Sequence, residues 1–185
     1  MSRAATAWTD DHFIAGEVVL DFANTVYRRE PELGPDLLGS ADDLAGWLAH
    51  ASLLPAGHTG RVSDTALRDA RELRGVCWAV FDAQRDGREL PPDAVAGLLD
   101  RARQNLTDVT VQADGSATAH TVAGALTVLA LRAIGLVLRP TARPVRTCDG
   151  CGWFFVDSSR GRRRRWCSMQ TCGNQAKAAR YRSAH

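Results

Sequence analysis

Cys148-Asp-Gly-Cys151 and Cys167-Ser-Met-Gln-Thr-Cys172, separated by fifteen residues, form the stretch that decides the C-terminal fold of this 185-residue chain. Cysteine pairs at C-x2-C and C-x4-C spacing are typical of a tetrahedral zinc site, in which each pair binds one side of the metal. Glycines on both sides of Cys151 permit the tight turn that directs two sulfurs towards one ion. The spacing predicts one structural Zn2+, because four cysteine ligands leave no position for water. Two disulfides are the alternative.

The composition is that of a globular protein of the cytoplasm. Hydrophobic residues make up 45% and charged residues 24% of the sequence, which is enough apolar material for a core and too little charge for a disordered chain. The N-terminus lacks the apolar segment of a signal peptide, and the fifth cysteine, Cys77, stands alone. The longest apolar run, Val122–Leu138, contains Arg132 and falls short of a bilayer span. We therefore expect reduced thiols, no membrane segment and a cytoplasmic location.

Charge divides the chain into two parts. From Arg139 to the C-terminus, eleven basic residues face two acidic ones, a net charge of +9, whereas the preceding residues carry −7. The predicted organisation is a body over 1–139, a proline-containing linker over 140–146 and a zinc finger over 147–185. Because the metal would hold only the tail together, we expect chelation to unfold the tail and leave the body folded.

Helical periodicity dominates the body. Apolar spacing predicts helices from Glu17, from Ser40 to His50, from Ser63 to about 85, from Pro92 and over 122–138. Two β-prone segments on either side of Asp-Gly at 114–115 predict a small hairpin. We therefore predict a mainly α protein, in which a helical N-terminal domain with one small β-hairpin precedes a small treble-clef-like finger.

Three polar residues lie on apolar helix faces of the body. Asp21 and Asn24 stand three residues apart among large apolar side chains, and Arg74 falls inside the apolar stripe of its helix. Such groups need partners if they are buried. Arg74 extends its guanidinium to solvent, pairs with a carboxylate, or lines a pocket with Asp21 and Asn24 that binds a small polar or anionic ligand.

The tail reads as a metal-binding turn, a hairpin and a helix. The segment 153–156 has strand composition, and the run 162–165 is the predicted returning strand. Good helix formers follow Cys172. This order is the layout of a treble-clef finger.

The basic residues of the tail exceed what the metal site requires. A zinc ion with four thiolates carries a formal charge of −2, which two cations neutralise. The excess predicts a nucleic-acid surface, with DNA as the expected partner and phosphate or base contacts from eight residues. These are Arg162, Arg163, Arg164, Arg165, Asn174, Gln175, Lys177 and Arg180. A solvated basic face, an acidic protein partner and RNA are the alternatives.

The tail resembles the CGNR zinc-finger family. The resemblance lies in Cys148-x-x-Cys151-Gly-Trp-Phe-Phe-Val-Asp, in Arg-Arg-Arg-Arg-Trp-Cys167-Ser-Met and in Cys172-Gly-Asn. The chain reads Gln175 where that family usually has arginine. The body looks like the helical ABATE domain, through Leu-Asp-Phe-Ala-Asn-Thr at 20–25 and the 44–48 and 73–74 stretches. The resemblance implies a bacterial stress-induced transcription regulator.

Three hypotheses about function follow. In the first, the zinc-stabilised finger binds DNA and the helical body senses a ligand or forms a homodimer, since one finger covers few base pairs. In the second, the finger binds an acidic protein or RNA. In the third, the body binds a small molecule or acts as an enzyme, and the finger is accessory. No nucleophile elbow, phosphate loop or metalloprotease motif occurs in the sequence, so we expect no enzymatic activity.

Overall fold

The computed structural model describes residues 6–28, 33–55, 60–139 and 144–183, and it is mainly α, as predicted. The helices are α1 Val18–Ala23, α2 Ala41–His50, α3 Asp64–Arg85, α4 Pro92–Gln104, α5 Val122–Leu138 and α6 Asn174–Ser183. The strands are β1 Val109–Val111, β2 Ala117–Ala119, β3 Val145–Thr147 and β4 Phe154–Val156. Short 3-10 turns occupy Asp10–His12 and Leu106–Asp108, and a wide helical turn, Met169–Gly173, leads into α6.

Two of the predicted helix starts are confirmed by their caps. The Ser40 hydroxyl accepts the Asp43 N–H at 3.1 Å, and the Ser63 hydroxyl accepts the Ala66 N–H at 3.1 Å. These bonds satisfy backbone donors that a first helical turn leaves free. The third long helix, α5, packs against α1, α3, α4 and β2, which places the most apolar helix at the centre of the body.

Each of the two small sheets is an antiparallel hairpin. In the body, β1 pairs with β2 around the predicted Asp-Gly turn, where Gly115 has φ +82°. In the finger, β4 pairs with β3, so that Val145 lies opposite Val156. The strand β3 begins inside the predicted linker, whose residues 140–143 lie outside the described ranges.

The predicted returning strand at 162–165 is wrong, because the backbone there is bonded into a turn. Arg162 has φ +48°, and its N–H donates to the Ser159 carbonyl. The Arg164 N–H donates to a carboxylate oxygen of Asp157 at 3.1 Å. These donors are therefore not available to a neighbouring strand. The partner of β4 is instead β3, the segment before the first cysteine.

The finger and the body share one apolar core. The strand β3 packs on α3 and β4 packs on α1, and the rings of Phe154 and Phe155 are fully buried. The Phe81 ring of α3 meets Phe154 edge to face, with 5.7 Å between ring centroids. No helix in the described ranges is long and apolar enough to cross a bilayer.

Candidate metal centre and basic surface

The first cysteine pair lies on a turn that only glycine permits. Cys148 follows β3, Cys151 precedes β4, and the Gly152 N–H donates to the Cys148 carbonyl at 2.9 Å. Gly152 has φ +75°, and a Cβ there would lie 2.1 Å from the Arg28 carbonyl oxygen. The backbone of the body at Arg28 therefore lies so close to the metal-binding turn that no side chain fits at position 152.

The second pair is held by the wide turn before α6. Cys172 lies within Met169–Gly173, and the Ser168 hydroxyl accepts the N–H of Gln170 at 3.1 Å and of Thr171 at 3.4 Å. All four cysteine sulfurs lie within 4.8 Å of one another. The Sγ atoms of Cys151 and Cys167 are 3.5 Å apart, and those of Cys167 and Cys172 are 3.8 Å apart.

This geometry fits one tetrahedral zinc ion. With Zn–S bonds of about 2.3 Å, the sulfurs of a tetrahedron lie about 3.8 Å apart, close to both measured separations. All four cysteines are at most 8% exposed. The zinc is structural, because four thiolates complete its coordination and the metal has no position for a substrate.

The cluster needs a cation if all four sulfurs are to ionise. The side-chain hydrogen bonds from Cys151 and Cys167 lower the pKa of Cys148. The hydrogen bond between Cys148 and Cys151 raises the pKa of Cys151. The contact with Cys148 raises the pKa of Cys167 to about 12. Neighbouring thiols thus share protons, and a divalent ion replaces those protons with its own charge.

Two of the four consecutive arginines have partners within the finger. The Arg164 guanidinium donates to the carbonyls of Trp166, at 2.7 Å, and of Cys167, and its Cζ lies 4.8 Å from the centroid of the Phe155 ring. Arg165 pairs with Asp149 at 2.7 Å. Arg164 therefore supports the backbone of a metal ligand, whereas the Arg165 pair is largely exposed.

The other two arginines are exposed. Neither Arg162 nor Arg163 has a side-chain partner within the described ranges, although the Arg162 carbonyl accepts a 2.6 Å bond from Arg146. Arg160, which sequence reasoning did not select, is exposed on the same turn. Its position just before the four consecutive arginines could have indicated that it belongs to the same basic surface.

The final helix carries the remaining predicted contacts. No residue of α6 is buried, and Lys177 and Arg180 are exposed together with Arg182, a further cation that sequence reasoning missed. The Asn174 amide donates to the Gln170 carbonyl at 3.2 Å. Gln175 lies apart from these residues, because it lines a crevice between the finger and the body.

The three residues predicted to line a ligand pocket have partners elsewhere in the protein. A carboxylate oxygen of Asp21 accepts the Ala15 N–H at 2.9 Å, and burial raises the pKa of Asp21 to about 7. The Asn24 amide bonds both backbone groups of Phe154, at 2.8 Å each.

Arg74 is likewise paired away from Asp21 and Asn24. Its guanidinium donates to both carboxylate oxygens of Asp36, at 2.8 and 2.6 Å, and to the Thr25 hydroxyl at 2.9 Å. It neither extends to solvent, being 5% exposed, nor joins the other two residues in a pocket. A buried arginine needs a carboxylate, and the nearest one is in the loop before α2.

A junction between body and finger is the site that the sequence did not reveal. Besides the Asn24 bonds, the Trp153 indole donates to the Val26 carbonyl at 3.1 Å, and the Arg28 N–H donates to the Cys151 carbonyl at 3.2 Å. The rings of Tyr27 and Trp153 stack, with centroids 5.1 Å apart. The only sequence signal was that Asn24, on an apolar face, required a partner.

Fold and site together define a zinc-finger protein with a helical N-terminal body. The family model described as "Putative stress-induced transcription regulator", ABATE, matches residues 16–140, and the CGNR zinc-finger model matches residues 145–185. The chain belongs to the ABATE family and ends in a CGNR zinc finger. A comparison with curated proteins gave no match.

Proposed function

We propose that this protein regulates transcription by binding duplex DNA through the exposed basic residues of its zinc finger. Family membership supports a regulator, and the distribution of charge supports the nucleic-acid partner. Between Ser158 and Ser183 the chain has eight basic residues and no acidic residue. A surface of this kind attracts phosphates, and its binding weakens as salt competes for them.

Six of these cations form the proposed contact surface. We call this set the basic surface, and its members are Arg160, Arg162, Arg163, Lys177, Arg180 and Arg182, all exposed. Arg164 and Arg165 are left out because they are bonded within the finger. The main support for the proposal is that these six cations are exposed, while the two acidic residues of the finger pair with other arginines. Asp149 pairs with Arg165, and buried Asp157 pairs with Arg146 at 3.0 Å.

The helix α6 suits the role of a recognition helix. None of its residues is buried, so the whole helix is free to enter a groove. Two alanines lie between Lys177 and Arg180, and small side chains there let the helix backbone come near the bases. Asn174 offers a side-chain amide of the type that pairs with adenine.

The body is proposed to supply what a single finger lacks. One short helix covers few base pairs, so useful specificity requires a homodimer or a further contact, and the body is the candidate source. A ligand sensed by the body would act through the junction around Asn24. We propose a cytoplasmic regulator without enzymatic activity, in keeping with a sequence that contains no nucleophile elbow, phosphate loop or metalloprotease motif.

The test is a titration of labelled duplex DNA with zinc-loaded protein at several salt concentrations. With about five phosphates contacted, log K should fall against log salt with a slope of roughly −4 to −5. A triple variant, Arg162→Ala, Arg163→Ala and Lys177→Ala, should bring the slope closer to zero by about 0.9 for each phosphate that it no longer neutralises. The matched control replaces three exposed arginines of the body, Arg68, Arg88 and Arg103, whose side chains are already bonded within it.

The control variant should bind like the wild type. Competition with structured RNA and with heparin then separates a DNA-binding surface from a general cationic one, because a general cationic surface prefers none of the three. Absent binding, or a triple variant indistinguishable from the control, would refute the proposal.

A further inference from the structure

A crevice of about 310 Å³ leads to the metal centre from the side of the body. Its walls include Asp11 and His12 from the N-terminal segment, and Gln175 from the first turn of α6. The crevice is also lined by Cys151, Cys167 and Cys172. Three of the four zinc ligands are therefore reachable by a small solute, although little of their surface is exposed.

The most accessible ligand is Cys172. It is 8% exposed, compared with 2% for Cys151 and for Cys167. Zinc-bound cysteine is a thiolate, and the thiolate is the form of cysteine that attacks peroxides. A second thiolate within reach converts the first oxidation product into a disulfide. The Cys167 sulfur, 3.8 Å from that of Cys172, meets this requirement.

We propose that Cys172 and Cys167 form a peroxide-reactive pair, and that their oxidation releases the zinc ion. The crevice admits hydrogen peroxide to Cys172, and the wall formed by Gln175 controls access. This inference rests on the zinc site alone and does not depend on DNA binding.

The reaction is balanced with one molecule of hydrogen peroxide. The Cys172 thiolate attacks one peroxide oxygen, an S–O bond forms, the O–O bond breaks, and hydroxide leaves. The Cys167 thiolate then attacks the new sulfenic sulfur, an S–S bond forms, and the second hydroxide leaves. Two protons from solvent convert both hydroxides to water. The two thiolates have supplied the two electrons that reduce the peroxide.

Loss of two thiolates leaves only Cys148 and Cys151 on the metal. Two ligands do not complete a tetrahedral site, so zinc dissociates. Because Cys172 lies in the turn that starts α6, the helix loses its fixed attachment to the rest of the finger. Reduction of the disulfide and fresh zinc should restore the site.

The experiment follows zinc release from the full-length, zinc-loaded chain with a chromogenic chelator after addition of hydrogen peroxide. We expect one zinc released per chain, together with one disulfide. Alkylation and trypsin digestion locate that disulfide, because cleavage after Arg165 and Lys177 places Cys167 and Cys172 in one peptide. That peptide should be lighter by two hydrogen atoms, while Cys148 and Cys151 should be alkylated in theirs. Oxidation of Met169 instead adds an oxygen and is distinguished by mass.

Two tryptophan variants test the route to the sulfur. Gln175→Trp fills the crevice and should slow zinc release by roughly tenfold, equivalent to an activation barrier raised by about 1.4 kcal/mol. Ser183→Trp adds the same side chain to the same helix outside the crevice lining and outside the basic surface, and it should react like the wild type. Zinc content and circular dichroism before oxidation verify that both variants are folded.

Three results would overturn the proposal. Zinc retained under excess peroxide would show that the thiolates are protected. Equal rates for the two tryptophan variants would refute the crevice as the route. A disulfide that joins Cys151 to Cys167, whose sulfurs are also close, would link two tryptic peptides and refute the assigned pair.

Discussion

Replacing Asn24 with alanine should destabilise the finger and the body together. The Asn24 amide is 2% exposed, and it bonds the N–H and the carbonyl of Phe154, which lies 130 residues further along the chain. Alanine removes both partners and leaves the two backbone groups of β4 buried without replacement. The variant thus tests whether this single side chain joins the zinc finger to the helices.

The expected loss follows from the two unsatisfied groups. A buried donor or acceptor left without a partner costs about 1–3 kcal/mol, so the free energy of unfolding should fall by about 2–6 kcal/mol. A domain of this length has a total stability of about 5–15 kcal/mol, and the loss is therefore a large fraction of it. Each kcal/mol lowers Tm by roughly 2–4 °C at this size.

Urea unfolding of zinc-loaded protein measures this loss with two probes. Far-ultraviolet circular dichroism follows the helices of the body, and a zinc-sensitive dye follows the finger. Both transitions should coincide in the wild type and should move together in Asn24→Ala. The matched control, Asn174→Ala, removes one exposed asparagine bond and should change stability by about 0.5 kcal/mol or less. Separate transitions, or a loss no larger than that of the control, would show that Asn24 does not join the finger to the body.

Three further predictions concern the metal, pH and the arginine run. The sequence predicted a body that is independent of the metal, but body and finger share one core. Chelation, or Cys167→Ser, should therefore unfold the finger and also lower the Tm of the helices in a calorimetric scan; an unchanged Tm would contradict this. Because burial raises the pKa of Asp21 to about 7, its contribution to stability is present at low pH and is lost as pH rises through 7. Wild type should lose about 2 kcal/mol relative to Asp21→Asn between pH 5 and 7, as urea titrations at each pH would measure, and parallel pH profiles would disprove the assignment. Arg164→Ala should weaken zinc binding in a chelator competition, since Arg164 bonds the Cys167 carbonyl, whereas exposed Arg163→Ala should not; equal affinities would remove the structural role of Arg164.

Local signals carried most of the fold. The caps Ser40 and Ser63, the apolar stripe of α3 and the uniformly apolar α5 each fix an element within a few residues of sequence, and all four are present. The metal centre could also be predicted from the sequence, because four cysteines at this spacing have few other uses. These features depend on short-range periodicity or on ligand chemistry, both of which a single sequence contains.

Pairing between residues far apart in the chain could not be predicted from the sequence. The strand partner of β4 precedes the first cysteine, at Val145–Thr147, where neighbouring prolines indicated a connector. The sequence showed that Asn24 and Arg74 needed partners, but the partners are a backbone 130 residues away and the carboxylate of Asp36. Composition also could not separate Arg164, which bonds carbonyls of the finger, from exposed Arg163.

Amide hydrogen exchange with and without duplex DNA is the most direct test of whether the basic surface of the finger binds DNA. An exposed helix of ten residues with no buried side chain should exchange quickly in the free protein, since little packing protects it. We predict that DNA slows exchange in Asn174–Ser183 and in the turn 158–163, and that β1 and β2 are unaffected. Protection confined to the body, with none in α6, would contradict the claim.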